Sequence, residues 1–183
     1  MRRLGPPGLD VSERVPVLLL NGTVGAGKTT IAYEINDVLA EREVPNAAID
    51  LDALTAQWPP SSRWNADLMF ENLALLWPNY RAHGVTHLVL AHVLEDAAER
   101  DRYRGAVPGA DLTVVRLVSP AGTRRRRLER RMPPGPSLDW HLHRTEELDS
   151  ILASRAIDDL VVENGDRPVR DVAVDVLTAV GWI

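Results

Sequence analysis

Along the chain, short apolar runs alternate with longer stretches in which apolar and polar residues recur at helical spacing. The short runs are VPVLLLN (15–21), NAAIDLD (46–52), THLVLAHV (86–93), DLTVVRLVS (111–119) and DLVVEN (159–164). Each is close to continuous in apolar character, the pattern of strands covered on both faces of a parallel sheet. Amphipathic segments near 28–42, 65–83, 95–104, 123–132, 139–155 and 168–180 predict helices between and after them. Strands alternating with helices predict an α/β doubly wound fold: a five-stranded, mainly parallel sheet with helices on both faces. Pro78 inside ALLWPNYRAHG predicts a kink or a split in the second helix. MPPGPS (132–137) predicts a loop between two polar helices, with the character of a mobile lid.

Composition narrows the class. At 183 residues, 45% hydrophobic and 26% charged, the chain is expected to form one domain over 15–183, with a lid at about 123–144. A lead rich in Gly, Pro and charge, residues 1–14, precedes it. The net charge of -5 argues against a general nucleic-acid binder. Cysteine is absent, which excludes disulfides and thiolate metal sites. The start, MRRLGPPGLDVSERVP, has no apolar stretch behind its arginines, and no apolar run approaches the roughly 18 residues a membrane span needs. The expectation is a cytoplasmic protein that engages no membrane.

One charge stands apart. Lys and Arg total 21, and Lys28 is the only lysine among them. It closes Gly22-Thr23-Val24-Gly25-Ala26-Gly27-Lys28-Thr29, which fits G-x-x-x-x-G-K-[ST] and sits between a predicted strand and a predicted helix. Glycines let the backbone curl around phosphate oxygens with its N–H groups inward, and the helix start adds a favourable dipole. The pattern assigns Lys28 to the β- and γ-phosphates of a nucleotide and the Thr29 hydroxyl to Mg²⁺, with Thr30 completing the phosphate-binding stretch. A wide planar guanidinium does not replace a compact ammonium in so tight a curl. A glycine-rich turn with an incidental lysine is the bland alternative.

A GTPase would need a second lysine to read guanine, and there is none. The third strand ends LVLAHVLED, with Ala91 and His92 where many ATPases place an acid. Another acid must then help hold the metal, and Asp50 and Asp52 at the end of the second strand are the candidates. With these features the chain resembles the small P-loop kinases: shikimate, gluconate and adenylylsulfate kinases, nucleoside monophosphate kinases and antibiotic phosphotransferases. The resemblance covers nearly the whole chain in order, with the phosphate loop as its specific part.

It implies ATP and Mg²⁺ as cofactors and transfer of the γ-phosphoryl group to a small-molecule acceptor. By it, Asp50 acts at the metal and Asp52 contacts or deprotonates the acceptor, and strand alternation would set both on one face. Two solvated acids, or Asp52 capping a short helix, is the alternative. FENLALLWPNYRAHG (70–84) looks like the acceptor-side helix of adenylylsulfate kinases, with only Glu71-Asn72 of their Asp-Arg-x-Glu-Asn signature. Arg63, Asn72 and Arg81 become acceptor candidates, and Trp58, Trp64 and Trp77 could line an aromatic or sugar pocket. Core packing competes with that role for each tryptophan.

TRRRRLERRM (123–132) puts Arg124, Arg127 and Arg131 on one helical face, and Arg126 and Arg130 on another. The related kinases carry lid arginines there. By that match Arg127 and Arg131 stabilise the transferring phosphoryl, Arg144 assists from the next helix, and Arg124 stacks on adenine. Asn164 and Gly165, in VVENGDRPV, resemble the loop that touches adenine, though Asn-Gly also suits an ordinary turn. The five histidines lack ligand spacing, so no transition metal is assigned. Two other classes remain: an ATP-binding switch without phosphotransfer, and a nucleic-acid-end kinase whose arginine run holds a strand. Acceptor identity and oligomeric state are not encoded in any motif.

Overall fold

The computed structural model describes residues 14–183, and the predicted lead lies outside the described residues apart from Arg14. The elements are β1 (Val15–Asn21), α1 (Lys28–Ala40), β2 (Asn46–Asp50), α2 (Ala66–Ala82), β3 (His87–Ala91), α3 (Arg100–Ala106), β4 (Ala110–Val118), α4 (Ala121–Arg131), α5 (Pro136–Arg155), β5 (Leu160–Glu163) and α6 (Val169–Ala179). The five strands form one sheet in the order β2-β3-β1-β4-β5, and all four pairings are parallel.

Alternation along β1 divides the core. Val17 and Leu19 join Leu73, Trp77, Leu88, Leu90, Leu112 and Val114 on the face covered by α2 and α3. Leu18 and Leu20 join Ile31, Ile35, Leu39, Val89, Val115, Val172 and Val176 on the face covered by α1 and α6. Each such fully buried side chain contributes about 1.5–3 kcal/mol by leaving water. A strand buried on both faces can be apolar at every position, which explains the continuous runs in the sequence.

Local departures from the expected boundaries have local causes. α2 runs unbroken through Pro78 although the proline removes one ladder bond. α5 begins at Pro136, an N-terminal helical position where the missing N–H is not needed. The loop before it therefore shrinks to Met132–Gly135. The helix expected over 95–104 becomes a short 3₁₀ turn (Ala97–Glu99) leading into α3, with Asp96 capping the turn through Ala98 N–H. Among the described residues no helix is long and apolar enough to cross a membrane.

The strand order reverses at β1: its sequence neighbour β2 lies at the sheet edge beyond β3. In open parallel sheets, ligands bind beyond the carboxyl ends of the strands at that reversal. Register places Leu20 beside Ala91 and Asp50 beside Ala91, so β1, β2 and β3 end level. Asn21, fully buried at the end of β1, locks the crevice. Its Nδ2 donates to the Leu94 carbonyl at 3.1 Å and to Asp158 Oδ1 at 2.7 Å. Its Oδ1 accepts from the Gly22 and Leu94 N–H groups at 2.8 and 2.9 Å.

Candidate active site

A cleft of about 1720 Å³ opens above those strand ends. Its floor is the loop from Gly22 to Lys28. Gly22, Gly25 and Gly27 have φ of 139°, 78° and 96°, in the left-handed region that glycine alone enters without strain. A Cβ on Gly22 would lie 2.6 Å from the Leu117 carbonyl oxygen, and one on Gly27 would run into the Asn164 amide. α1 starts at Lys28 with no side-chain cap and no acid in its first turn. Its first N–H groups therefore remain available to an anion.

Lys28 Nζ donates to the Gly22 and Thr23 carbonyls at 2.9 and 3.1 Å, held inside the curl of the loop. Burial lowers its pKa to about 8, against the opposing pull of Asp52 and Asp50, while Arg131 pushes the same way as burial. The Thr29 hydroxyl donates to Asp50 Oδ2 at 2.8 Å. These two hard oxygen donors at the loop's mouth suit Mg²⁺, which keeps several ligands from water and phosphate. Among the described residues no group of three or more His, Cys, Asp or Glu side chains is placed to hold a metal without such help.

Asp50 ends β2 and its Oδ1 caps the following 3₁₀ turn (Leu51–Leu54) by accepting from Asp52 N–H at 3.0 Å. Asp52 thus belongs to that turn, and strand alternation does not place it: the capping bond turns the chain so that both acids line the cleft. Desolvation by the cleft walls, and then the Asp50 charge, raise the Asp52 pKa above the usual carboxylate range, opposed by Lys28 and Arg131.

Beside Asp52 is a pair without a sequence signal in the ligand-spacing sense. His92, the first residue past β3, lines the cleft with Nε2 3.8 Å from Asp52 Oδ1. Its Nδ1 lies 2.9 Å from the hydroxyl of Tyr103, a fully buried residue of α3. Burial lowers the His92 pKa to about 4, with Lys28 adding to the effect, so the ring is neutral at pH 7. Its position at the strand-order reversal is the feature that could have drawn attention to it.

The far end of the cleft is aromatic and charged. The Trp64 and Trp140 rings lie 5.8 Å apart and tilted by 55°, both substantially exposed. Met69 and Phe70 also line this end, together with Glu95, Glu99, Arg102 and Arg144. Arg102 pairs with Asp67 at 2.5 Å.

Solved structures of similar fold cover most of the chain. The tunicamycin resistance protein of Deinococcus radiodurans is 19% identical with a TM-score of 0.62, over 92% of this chain and 96% of that one. A gluconokinase from Sinorhizobium meliloti 1021 is 20% identical with a TM-score of 0.59, over 93% and 94%. The APS kinase of Mycobacterium tuberculosis, in complex with AMPPNP and APS, is 23% identical with a TM-score of 0.55, over 92% and 98%. The chain has the fold of the small P-loop kinases. No protein-family model and no curated protein sequence matches it.

Within that small-kinase fold the predicted residues separate. Gly25, Gly27, Lys28, Thr29, Thr30, Val24, Asp50, Asp52, Arg127, Arg131, Arg144 and Asn164 line one cleft. Arg131 is exposed within it, on the side facing Lys28 and Asp52. Arg130 lines it too, although the helical-face argument set it apart.

Several expected roles are corrected. Arg124 does not reach the cleft: it is 4% exposed, donates to the Ser119 carbonyl at 2.6 Å and pairs with Asp149 of α5 at 3.0 Å. A guanidinium held in the core between α4 and α5 cannot stack on a base in the cleft. Arg127 turns its donors to the back of the phosphate loop. They reach the Gly25 and Ala26 carbonyls at 3.3 Å each, Ser119 Oγ at 3.2 Å, and the Asn164 and Gly165 carbonyls at 3.3 and 2.5 Å. The Asn164 side chain is buried and donates to the Ala26 carbonyl at 2.6 Å. Asn164 and Gly165 therefore brace the loop through Arg127 and Ala26. Arg144 lines the cleft but is paired with Glu95, and with Glu147 at 2.7 Å.

On the acceptor side, Asn72 donates to the Leu54 carbonyl at 2.9 Å, which anchors the turn that carries Asp52, and it does not line the cleft. Arg81, in the last turn of α2, lies over the buried Trp77 at 5.8 Å and also stands off the cleft. The Arg63 side chain lies outside the described residues. Of the three tryptophans, Trp77 is core and Trp64 is a cleft wall, whereas Trp58 is 89% exposed and not among the lining residues.

Proposed function

We propose that this chain is an ATP-dependent, Mg²⁺-requiring phosphotransferase that moves the γ-phosphoryl group to a small-molecule acceptor. The observation that carries the reading is the Thr29–Asp50 contact of 2.8 Å at the mouth of a phosphate loop, with Asp52 beside it in the same cleft. An ATP-binding loop alone would not need a second acid with a raised pKa in the same cleft.

The loop N–H groups and the α1 N-terminus hold the polyphosphate, and Lys28 sets its charge against the β- and γ-phosphates. Mg²⁺, held by Thr29 and Asp50 together with the phosphates, would neutralise the charge on the phosphate oxygens. Asp52 accepts the proton of the attacking hydroxyl, and its raised pKa brings it closer to the pH at which a base is both free and strong enough. Arg131 meets the charge that spreads over the γ-phosphoryl oxygens. Similarity in fold to a gluconokinase and an APS kinase supports a hydroxyl-bearing acceptor.

The arginine run does not favour a strand of nucleic acid. Arg124 is buried, Arg125 pairs with Glu129 at 3.5 Å, Arg126 pairs with Asp166 at 2.9 Å, and Arg127 holds the phosphate loop. Among the described residues the run leaves no continuous free basic stripe for a phosphodiester backbone.

The experiment is ADP release from ATP·Mg²⁺, alone and with pooled acceptors: nucleotides, adenylylsulfate, sugar acids, antibiotics and oligonucleotides. Stimulation by one small-molecule pool that vanishes in a folded Lys28→Ala variant supports the reading. Unchanged turnover in Lys28→Ala sinks it.

A further inference from the structure

The Tyr103 hydroxyl is sealed in the core, and His92 Nδ1 at 2.9 Å is its one hydrogen-bond partner among the described residues. A buried hydroxyl proton without an acceptor costs about 1–3 kcal/mol. If Nδ1 carried the ring proton, both groups would present hydrogens and the hydroxyl proton would have nowhere to go. The hydroxyl therefore donates to Nδ1, which must be the bare nitrogen of the neutral ring. The ring proton then sits on Nε2, and Nε2 is the atom that faces Asp52 Oδ1 at 3.8 Å.

We propose that His92 is a positioning residue for Asp52: fixed by Tyr103 as the Nε2–H tautomer, it holds one oxygen of the Asp52 carboxylate and leaves the other to the acceptor hydroxyl. At 3.8 Å the two groups are just beyond hydrogen-bond distance. The exposed Asp52 side chain closes the gap by a small rotation, whereas the His92 ring, anchored at Nδ1, stays put. The arrangement stands where a third-strand acid was missed in the sequence. A neutral N–H donor there adds no charge beside Asp50 and Asp52, so the metal-side and acceptor-side acids stay separable. The role given to Asp52 rests on the phosphotransferase reading, whereas the tautomer does not.

The test is the ring ¹⁵N–¹H correlation spectrum of His92 in the full-length labelled protein, assigned by its loss in His92→Gln. The expected ring is uncharged at pH 7 and protonated at Nε2. Tyr103→Phe is expected to release that preference into mixed tautomers, and Asp52→Asn to move the Nε2–H resonance. A ring protonated at Nδ1, a charged ring, or an Nε2–H resonance indifferent to Asp52→Asn overturns the proposal.

Kinetics on the stimulating acceptor give the second arm. His92→Phe should lower kcat about tenfold to a hundredfold with the ATP KM unchanged, the loss expected for a hydrogen bond to a charged group. His92→Gln, whose amide N–H reaches the Nε2 position, should recover most of it. Equal losses in the two variants overturn the proposal. Should circular dichroism show His92→Phe unfolded, Tyr103→Phe replaces it: a lowered kcat with unchanged ATP KM supports the relay, and an unchanged kcat overturns it. Absence of turnover with every acceptor counts against the phosphotransferase reading alone, and the spectrum then decides the tautomer and its coupling to Asp52.

Discussion

ATP affinity should fall with rising pH in a window set by Lys28. Burial within the loop lowers its pKa to about 8 in the empty protein. Polyphosphate, at hydrogen-bond distance, raises it on binding, because an opposite charge favours the ammonium form. The sign follows from proton counting. Below about pH 7 the ammonium is charged in both states, so affinity is flat. Above the free pKa, binding must take up a proton, and affinity falls as pH rises until the bound-state pKa is passed. The affinity lost is the factor by which the free ammonium form is depleted: about 2-fold at pH 8 and about 11-fold at pH 9.

Isothermal titration of ATP·Mg²⁺ in buffers of different ionisation enthalpy reads the proton directly. About half a proton should be taken up near pH 8, and less than about a tenth below pH 7. Lys28→Met, which keeps the length and drops the charge, should bind weakly and without this slope. A wild-type affinity that stays level from pH 7 to pH 9, with no proton uptake, refutes the reasoning: Lys28 would then not be desolvated by the loop.

Asp52→Asn should reduce kcat by about a hundredfold or more while ATP affinity changes less than about threefold, as general-base loss predicts. In the wild type, the acid limb of the rate profile should lie above the ordinary aspartate range, since activity disappears as pH falls through a raised pKa. Arg124→Met should lower stability by about 1–3 kcal/mol with little effect on ATP affinity, because it orphans the Ser119 carbonyl and leaves Asp149 half-exposed; thermal unfolding and titration separate the two readouts. Trp64→Ala should raise the acceptor KM several-fold and leave the ATP KM unchanged, and a change confined to ATP would place the aromatic wall wrongly.

What could be read from the sequence was what depends on local chemistry. The phosphate loop was legible because Gly22, Gly25, Gly27, Lys28 and Thr29 act within one turn of chain, so spacing alone fixes their geometry. The strands were legible because burial on both faces leaves an unbroken apolar run at 15–21 and 111–119. Asp50 and Asp52 were found, but for a different geometric reason: a side-chain cap on a 3₁₀ turn, not strand alternation, points both into the cleft. The arginines were harder. Helical spacing sets Arg124, Arg127 and Arg131 on one face, yet it carries no information on what each meets there. Asp149, Ser119 and Gly165 are 25, 5 and 38 residues away from the arginines that bind them. His92 was passed over for the same reason, since its meaning comes from Tyr103 on α3 and Asp52 beyond β2.

The partners of the arginine run also change what the run is for. Arg127 and Asn164 hold the Gly25 and Ala26 carbonyls from behind, and Thr145 of α5 donates to the Val24 carbonyl at 2.7 Å from the side. With its Val24, Gly25 and Ala26 carbonyls held by these donors, that stretch of the loop is braced before any phosphate arrives. Electrostatic stabilisation is strongest where the dipoles are fixed in advance and need not reorganise. Arg127 of α4 and Thr145 of α5 thus act through the shape of the loop. Arg130 and Arg131 also line the cleft, Arg131 within electrostatic reach of Asp52, so changes there should alter turnover, whereas a change at Arg127 should first alter the loop that turnover depends on.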